Sequence, residues 1–315
     1  MQNKKRKGDM DERTWYVAFG IITVLALMMG ILIGSHMPQG TTMNMSGGTS
    51  SGTLGPNVTQ IAEFNQARSE VMPQRGYILP AKWGTSIRQL VADGALNVTA
   101  LALILNKSGQ PLTAQEQQIL AGTSTVNVTV NSSDSTFMLM VLWSLGINNN
   151  NTMIGNGPIM KFGGNPDNLA STGGYRPLGN LQLGKLNIIG LTQHEQAVAN
   201  YTAFYSYRPC CDNPTMMPDC NHGAAALGLI ELMASQGANE TTVFTALKEF
   251  NSFEFPQEYT NLAMFLKGRG VDFSSVPGYV LVSKNVSSGS VAAKIQQSLS
   301  SSQMGQTGGG SGCSA

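Results

Sequence analysis

Three of the chain's four cysteines and one of its three histidines lie within thirteen positions. They are Cys210, Cys211, Cys220 and His222, in the segment YRPCCDNPTMMPDCNHG that begins at residue 207. Three thiolates and one imidazole fill a closed tetrahedral zinc site, and soft sulfur donors also select copper(I). The thioethers at 216 and 217 inside the same loop favour copper. The segment therefore predicts a site that holds copper or zinc through these four residues.

A structural disulfide is the alternative interpretation of the same cysteines. Neighbouring Cα atoms are only about 3.8 Å apart, whereas disulfides need about 4.4 Å or more, so Cys210 and Cys211 do not pair with each other. A bond from Cys220 to Cys211, or to Cys210, closes a short loop and stabilises the fold by roughly 2 to 3 kcal/mol. One sulfur is then left over. A reactive Cys220 with His222 or His194 as its base is a third interpretation, although no cysteine-hydrolase signature is present.

A helix that begins near DCNHGAAALGLIEL must position Cys220 and His222. Asp219 or Asn221 is expected to be its N-cap, since short polar side chains accept hydrogen bonds from the first helical N–H groups. With Asp219 as the cap, Cys220 and His222 point to different faces of the helix. With Asn221 as the cap, both donors can converge on one ion.

The remaining motifs assign no reaction. Arg176 and Arg208 each follow a tyrosine and precede a proline. They could place two cations and two aromatic rings around the cysteine loop, but we favour the interpretation that both are ordinary loop and helix-end residues. The sequence contains no P-loop, no dinucleotide-binding fingerprint and no HExxH motif. Whether the protein is an enzyme is left open by the sequence.

The cysteine segment resembles a family of membrane-anchored or secreted prokaryotic proteins. The shared features are YRPCC, an asparagine two residues further on, PDCNHG, and then LMASQG. The resemblance extends from Tyr77 to Asn285 and includes LW-S-LG at 142 to 146 and NLASTGGY at 168 to 175. The family has no known activity, so the resemblance implies only that residues 77 to 285 form one unit.

Apolar residues recur at helical spacing through most of the chain, which predicts an all-α, mainly helical domain with at most two short strands. The strand candidates are 124 to 133, which alternates, and 278 to 284. A glycine, a short linker and then Asn or Asp recur where one helix stops and the next starts, and we interpret these as a left-handed C-terminal residue followed by an N-cap. These turns are Gly94 to Asn97, Gly237 to Asn239 and Gly270 to Asp272. We interpret residues 147 to 180 as one long irregular loop.

The N-terminal region predicts one membrane-spanning helix ahead of this domain. Trp15 to Gly34 contains no charged residue and is long enough to cross a bilayer, and KKRK precedes it. We therefore expect a single-pass cell-membrane protein whose main domain is extracytoplasmic. The expected segments are a cytoplasmic N-terminus (1–14), a transmembrane signal anchor in contact with the lipid bilayer (15–35), a flexible Gly/Ser/Thr linker (36–56), a helical domain (57–302) and a disordered Gly/Ser tail (303–315) that carries Cys313.

Composition adds two expectations about partners and modification. Only 12% of residues are charged and the formal net charge is +1, which argues against nucleic acid as a partner; no protein partner is indicated. Ten N-x-S/T acceptor sites agree with an extracytoplasmic glycoprotein. The asparagines expected to be glycosylated are Asn57, Asn97, Asn127, Asn200, Asn239 and Asn285. The function expected from all this is metal binding at the cell surface, and the alternative is a disulfide-stabilised interaction or structural module without catalytic activity.

Overall fold

The computed structural model describes residues 58–155, 157–161 and 179–301. Helices dominate these residues, and one two-stranded sheet accompanies them, which confirms the expected all-α class. The helices are α1 (Val58–Val71), α2 (Ser86–Ala92), α3 (Val98–Lys107), α4 (Ala114–Ala121), α5 (Ser135–Asn148), α6 (Thr152–Gly155), α7 (Pro158–Lys161), α8 (Gln193–Tyr205), α9 (Asn221–Ala234), α10 (Glu240–Glu254), α11 (Pro256–Lys267), α12 (Gly278–Leu281), α13 (Lys284–Ser287) and α14 (Gly289–Ser301). The strands are β1 (Tyr77–Lys82) and β2 (Asn127–Val130).

The predicted membrane anchor, the linker and the C-terminal tail lie outside the described residues, as do Asn57, Arg176 and Cys313. Among the helices of the described ranges, none combines the length and the apolar character needed to cross a membrane. The topology of the chain therefore stays a prediction.

Two buried helices, α5 and α9, cross in the hydrophobic core and pack together more extensively than any other pair in the described ranges. Glycines allow this close approach. A Cβ on Gly146 would overlap the carbonyl oxygen of Ala224, and one on Gly228 would overlap that of Leu142. Because α9 begins directly after Cys220, this crossing fixes the position of the cysteine segment relative to the core.

The three predicted helix-to-helix turns are confirmed. Their glycines, at 94, 237 and 270, have φ values of +71°, +81° and +75°, in the left-handed region that favours glycine. The side chain of the following Asn or Asp then accepts a hydrogen bond from a backbone N–H of the next helical turn. The acceptor and donor pairs are Asn97 with Ala100, Asn239 with Thr242, and Asp272 with Ser274.

One of the two strand predictions is confirmed and the other is wrong. Strand β2 falls within 124 to 133 and pairs antiparallel with β1, which the sequence did not predict. Residues 278–284 form α12 and the start of α13 instead of a strand. Val280, Leu281 and Val282 are all buried, and consecutive burial of this kind suits a helical turn between neighbours better than an alternating strand.

Residues 147 to 180 are not one continuous irregular loop in their described part. Helix α5 continues to Asn148, and the next residue, Asn149, is fully buried. The Asn149 side chain accepts from the backbone N–H of Ile189 at 2.8 Å and donates to the Glu231 carboxyl at 3.1 Å. Burial raises the pKa of Glu231 well above its usual range, against the effect of its asparagine hydrogen bonds. This buried polar contact ties the segment after α5 to α9.

Candidate metal centre

The three cysteines lie on or at the end of the connection between α8 and α9, which neighbouring elements hold at several points. The backbone N–H of Tyr207 donates to the carbonyl of Val282 at 2.7 Å, and Asn251 donates to the carbonyl of Tyr207 at 3.2 Å. The N–H of Gly289 donates to the carbonyl of Cys211 at 2.9 Å. These contacts come from α10, from the C-cap residue of α12 and from the first residue of α14, so neighbouring elements hold the connection without a ligand.

The sulfur atoms of Cys210, Cys211 and Cys220 all lie within 4.8 Å of one another. The Cys210 and Cys220 sulfurs are 3.7 Å apart. No disulfide joins them in this structure, so the pairing of Cys211 with Cys220 stays a prediction for oxidised protein. Sulfurs that share one zinc ion at about 2.3 Å are about 3.8 Å apart in a tetrahedral site. The observed spacing is therefore close to that of a shared metal ion.

Cys220 is the N-cap of α9, which corrects the expectation that Asp219 or Asn221 would fill this role. The backbone of Cys220 is extended and its sulfur accepts from the N–H of Gly223 at 3.3 Å. Asp219 does not cap the helix because its carboxylate accepts from Arg208 at 3.0 Å. The sulfur thus lies where the helix dipole stabilises negative charge.

Arg208 is 1% exposed, and its guanidinium connects the parts of the site. Its Nε donates to the Cys220 sulfur at 3.2 Å, Nη1 to the carbonyl of Asn213 at 3.3 Å, and Nη2 to Asp219 at 3.0 Å. Gly223 leaves the space that the guanidinium needs, since a Cβ there would lie 2.6 Å from Arg208 Cζ. A permanent positive charge is therefore held against one sulfur of the cluster.

The thiols differ in acidity because of these surroundings. Hydrogen bonds from Cys210 and Cys211 hold the pKa of Cys220 well below its usual range; attraction to Arg208 and His222 adds to this effect and burial opposes it. The hydrogen bond to Cys210 alone would lower the pKa of Cys211, but the bond to Cys220 and burial raise it to about 11. Cys220 therefore loses its proton more readily than Cys211.

His222 points toward α10. Its Nε2 lies 3.7 Å from Glu254 Oε2, and its ring centroid lies 4.6 Å from that of Phe255. Burial raises the pKa of Glu254 to about 7, and the attraction of His222 partly opposes this. Within the described ranges, Cys210, Cys211 and Cys220 form a group of potential metal ligands, and His222 is not part of that group. The structure thus brings together three of the four predicted ligands, and coordination by His222 stays a prediction.

The other residues singled out from the sequence have plainer surroundings. Met216 packs against the hydrophobic core, which is the usual role of methionine. His194 is exposed in the first turn of α8. Among the expected glycosylation sites, Asn127 is half-buried on β2 and the others in the described ranges are exposed: Asn97, Asn200, Asn239 and Asn285.

Arg208 is the site residue for which the favoured sequence interpretation is wrong. It is not an ordinary helix-end residue, because it is among the largest fully buried side chains and donates to the cluster. Two signals could have found it. It lies two residues before Cys210, and the chain has few charges, so a charged residue beside a cysteine pair has a greater chance of a specific role.

The comparisons with known proteins assign no family. No protein-family model matches the chain. No curated protein and no solved structure matches it either. The function must therefore be inferred from the geometry of the site.

Proposed function

We propose that this protein is a membrane-anchored extracytoplasmic protein that binds one copper or zinc ion through the thiolates of Cys210, Cys211 and Cys220. The observation that carries the proposal is the clustering of three thiol sulfurs within 4.8 Å on a connection held by its neighbours. Soft thiolate ligands select copper(I) and zinc among the common metals. Because the connection is already held in place, little ordering is needed when the ion binds.

The charges around the cluster support a metal–thiolate complex. A metal ion displaces the protons of its cysteine ligands, so three thiolates with zinc carry one net negative charge. The buried guanidinium of Arg208, 3.2 Å from the Cys220 sulfur, compensates such a charge. Asp219 is 30% exposed and in contact with water, so its charge alone does not explain why a buried guanidinium lies here.

A disulfide-stabilised surface module without catalytic activity is the second candidate. The 3.7 Å separation of the Cys210 and Cys220 sulfurs favours it, because a modest movement would bring them to bonding distance. A disulfide would leave Arg208 directed at a neutral sulfur and would leave Cys211 without a partner in the bond. The metal complex uses all three sulfurs and the positive charge.

Elemental analysis of the full chain tests the proposal. The chain is purified in detergent, without oxygen and without chelators, and its copper and zinc content is measured. We expect one metal ion per chain, and a large loss in each of Cys210→Ser, Cys211→Ser and Cys220→Ser. Serine at 220 can still cap α9, so this variant is expected to fold.

Cys313→Ser is the matched control, since it removes the one cysteine outside the cluster. It is expected to retain the full metal content. A parent protein that contains no copper or zinc and instead has a Cys210–Cys220 or Cys211–Cys220 disulfide would favour the second candidate.

A further inference from the structure

We propose that the ion is copper(I), coordinated by the three sulfurs alone in a trigonal site, with His222 outside the coordination sphere. This inference rests on the proposed function and names its metal and its ligand set. It follows from what the other potential donors around the sulfurs contact.

The carboxylate that directly precedes Cys220 is already engaged. Oδ1 of Asp219 accepts from Arg208 at 3.0 Å, and Oδ2 accepts from Asn213 at 2.6 Å. The Asn213 carbonyl in turn accepts from Arg208 at 3.3 Å. An ion that recruited Asp219 would have to break its ion pair with Arg208, and this would leave a guanidinium that is 1% exposed without its carboxylate partner.

The nearest imidazole is also held elsewhere. His222 lies between Glu254 and Phe255, with its Nε2 3.7 Å from the Glu254 carboxylate. The Glu254 side chain is only 5% exposed, so turning His222 toward the sulfurs would take the imidazole away from a buried carboxyl. The site thus provides three sulfurs, while Asp219 and His222 are engaged in other contacts.

Three soft donors suit copper(I) better than zinc. Zinc in a structural site takes four protein ligands, whereas copper(I) is a soft ion that is stable with two or three sulfurs. In a planar trigonal site with bonds of about 2.3 Å, the sulfurs would be about 4.0 Å apart. The separation between Cys210 and Cys220 is 3.7 Å and no separation within the cluster exceeds 4.8 Å, so only small side-chain movements are needed.

The charge of Arg208 fits this complex. Copper(I) with three thiolates carries a larger negative charge than zinc with the same ligands. A fully buried guanidinium that donates to the Cys220 sulfur is placed to compensate it. Arg208 therefore acts as a positioning residue that does not contact the ion.

X-ray absorption spectroscopy of the full chain, loaded without oxygen with one equivalent of copper(I) supplied as its acetonitrile complex, tests the inference. We expect a single shell of three sulfurs and no nitrogen or oxygen neighbour. His222→Gln is expected to give the same spectrum, and its copper(I) affinity against a competing copper(I) chelator should change by less than about threefold. Cys211→Ser should weaken binding by about 100-fold or more, beyond the effect of losing an outer partner.

The outcomes separate the two proposals. A nitrogen neighbour that disappears in His222→Gln would overturn the trigonal site, and metal binding would still stand. A two-sulfur spectrum that Cys211→Ser leaves unchanged would overturn it as well. A chain that takes up neither copper(I) nor zinc would contradict the proposed function itself.

Discussion

Replacement of Arg208 by methionine removes the guanidinium and keeps an unbranched apolar stem in the same space. The change deletes three hydrogen bonds at once, to the Cys220 sulfur, the Asn213 carbonyl and the Asp219 carboxylate. All three partners belong to the connection before α9 or to its cap. We therefore expect Arg208→Met to destabilise the metal-free protein.

The size of the effect follows from burial. Removing one partner of a buried ion pair costs about 3 to 5 kcal/mol. Asp219 is 30% exposed and can regain contact with water, and Cys220 keeps its bond from Gly223, so the lower end applies. A loss of about 3 kcal/mol lowers the melting temperature of a domain of this size by about 6 to 12 °C.

Thermal unfolding followed by circular dichroism measures this shift, with reduced, chelator-treated full chain in detergent. Arg269→Met is the matched control, because Arg269 is an exposed arginine that stacks on Phe265 and donates to its carbonyl. The control should lower stability by less than about 1 kcal/mol. If Arg208→Met melts within 2 °C of the parent, the guanidinium does not hold the site together.

Three further predictions concern the core, the pH response and the topology. Gly146→Ala should lower the free energy of unfolding, measured with a denaturant, by about 1 to 3 kcal/mol, because the added Cβ would overlap α9. Gly155→Ala has open space around the added Cβ and should not lower it. The pKa of Glu254 is raised from 4.5 to about 7 by burial, so its stabilising effect is complete below pH 4.5 and is lost as the pH rises through 7. The parent should therefore lose up to about 3 kcal/mol relative to Glu254→Gln over this range in pH-dependent unfolding, and parallel curves would contradict the assignment. Protease added to intact cells should digest residues 37–315, and survival of the full chain beside a digested surface protein would overturn the topology.

Local signals predicted much of the helical fold. The glycines at 94, 237 and 270 have the left-handed φ values expected of helix ends, and the caps after them follow from side-chain chemistry. The sequence did not predict β1, because its partner β2 begins 45 positions further along the chain, and pairing at that distance leaves no local pattern. Residues 278–284 were misread because a buried helical turn and a short strand have the same apolar composition.

The candidate site was also predicted only where the signal is local in the sequence. The cysteine types and spacing indicated a cluster, and the structure brings the three sulfurs together. The cap of α9 was assigned wrongly because an Asp or Asn is the usual choice, and only the fold shows that Arg208 already binds Asp219. The direction of His222 depends on its contact with Glu254, which lies 32 positions further along the chain and leaves no local pattern.

Native mass spectrometry of the full chain, purified without oxygen and released from detergent, tests most directly whether the three cysteines hold a metal. We expect the mass of one chain plus one copper or zinc ion, less the protons that the ion displaces from the cysteines. The same measurement on Cys220→Ser should show the chain without metal. A parent mass lower than that of the reduced chain by two hydrogens, with no metal present, would mean that the cluster is a disulfide and would contradict the proposed function.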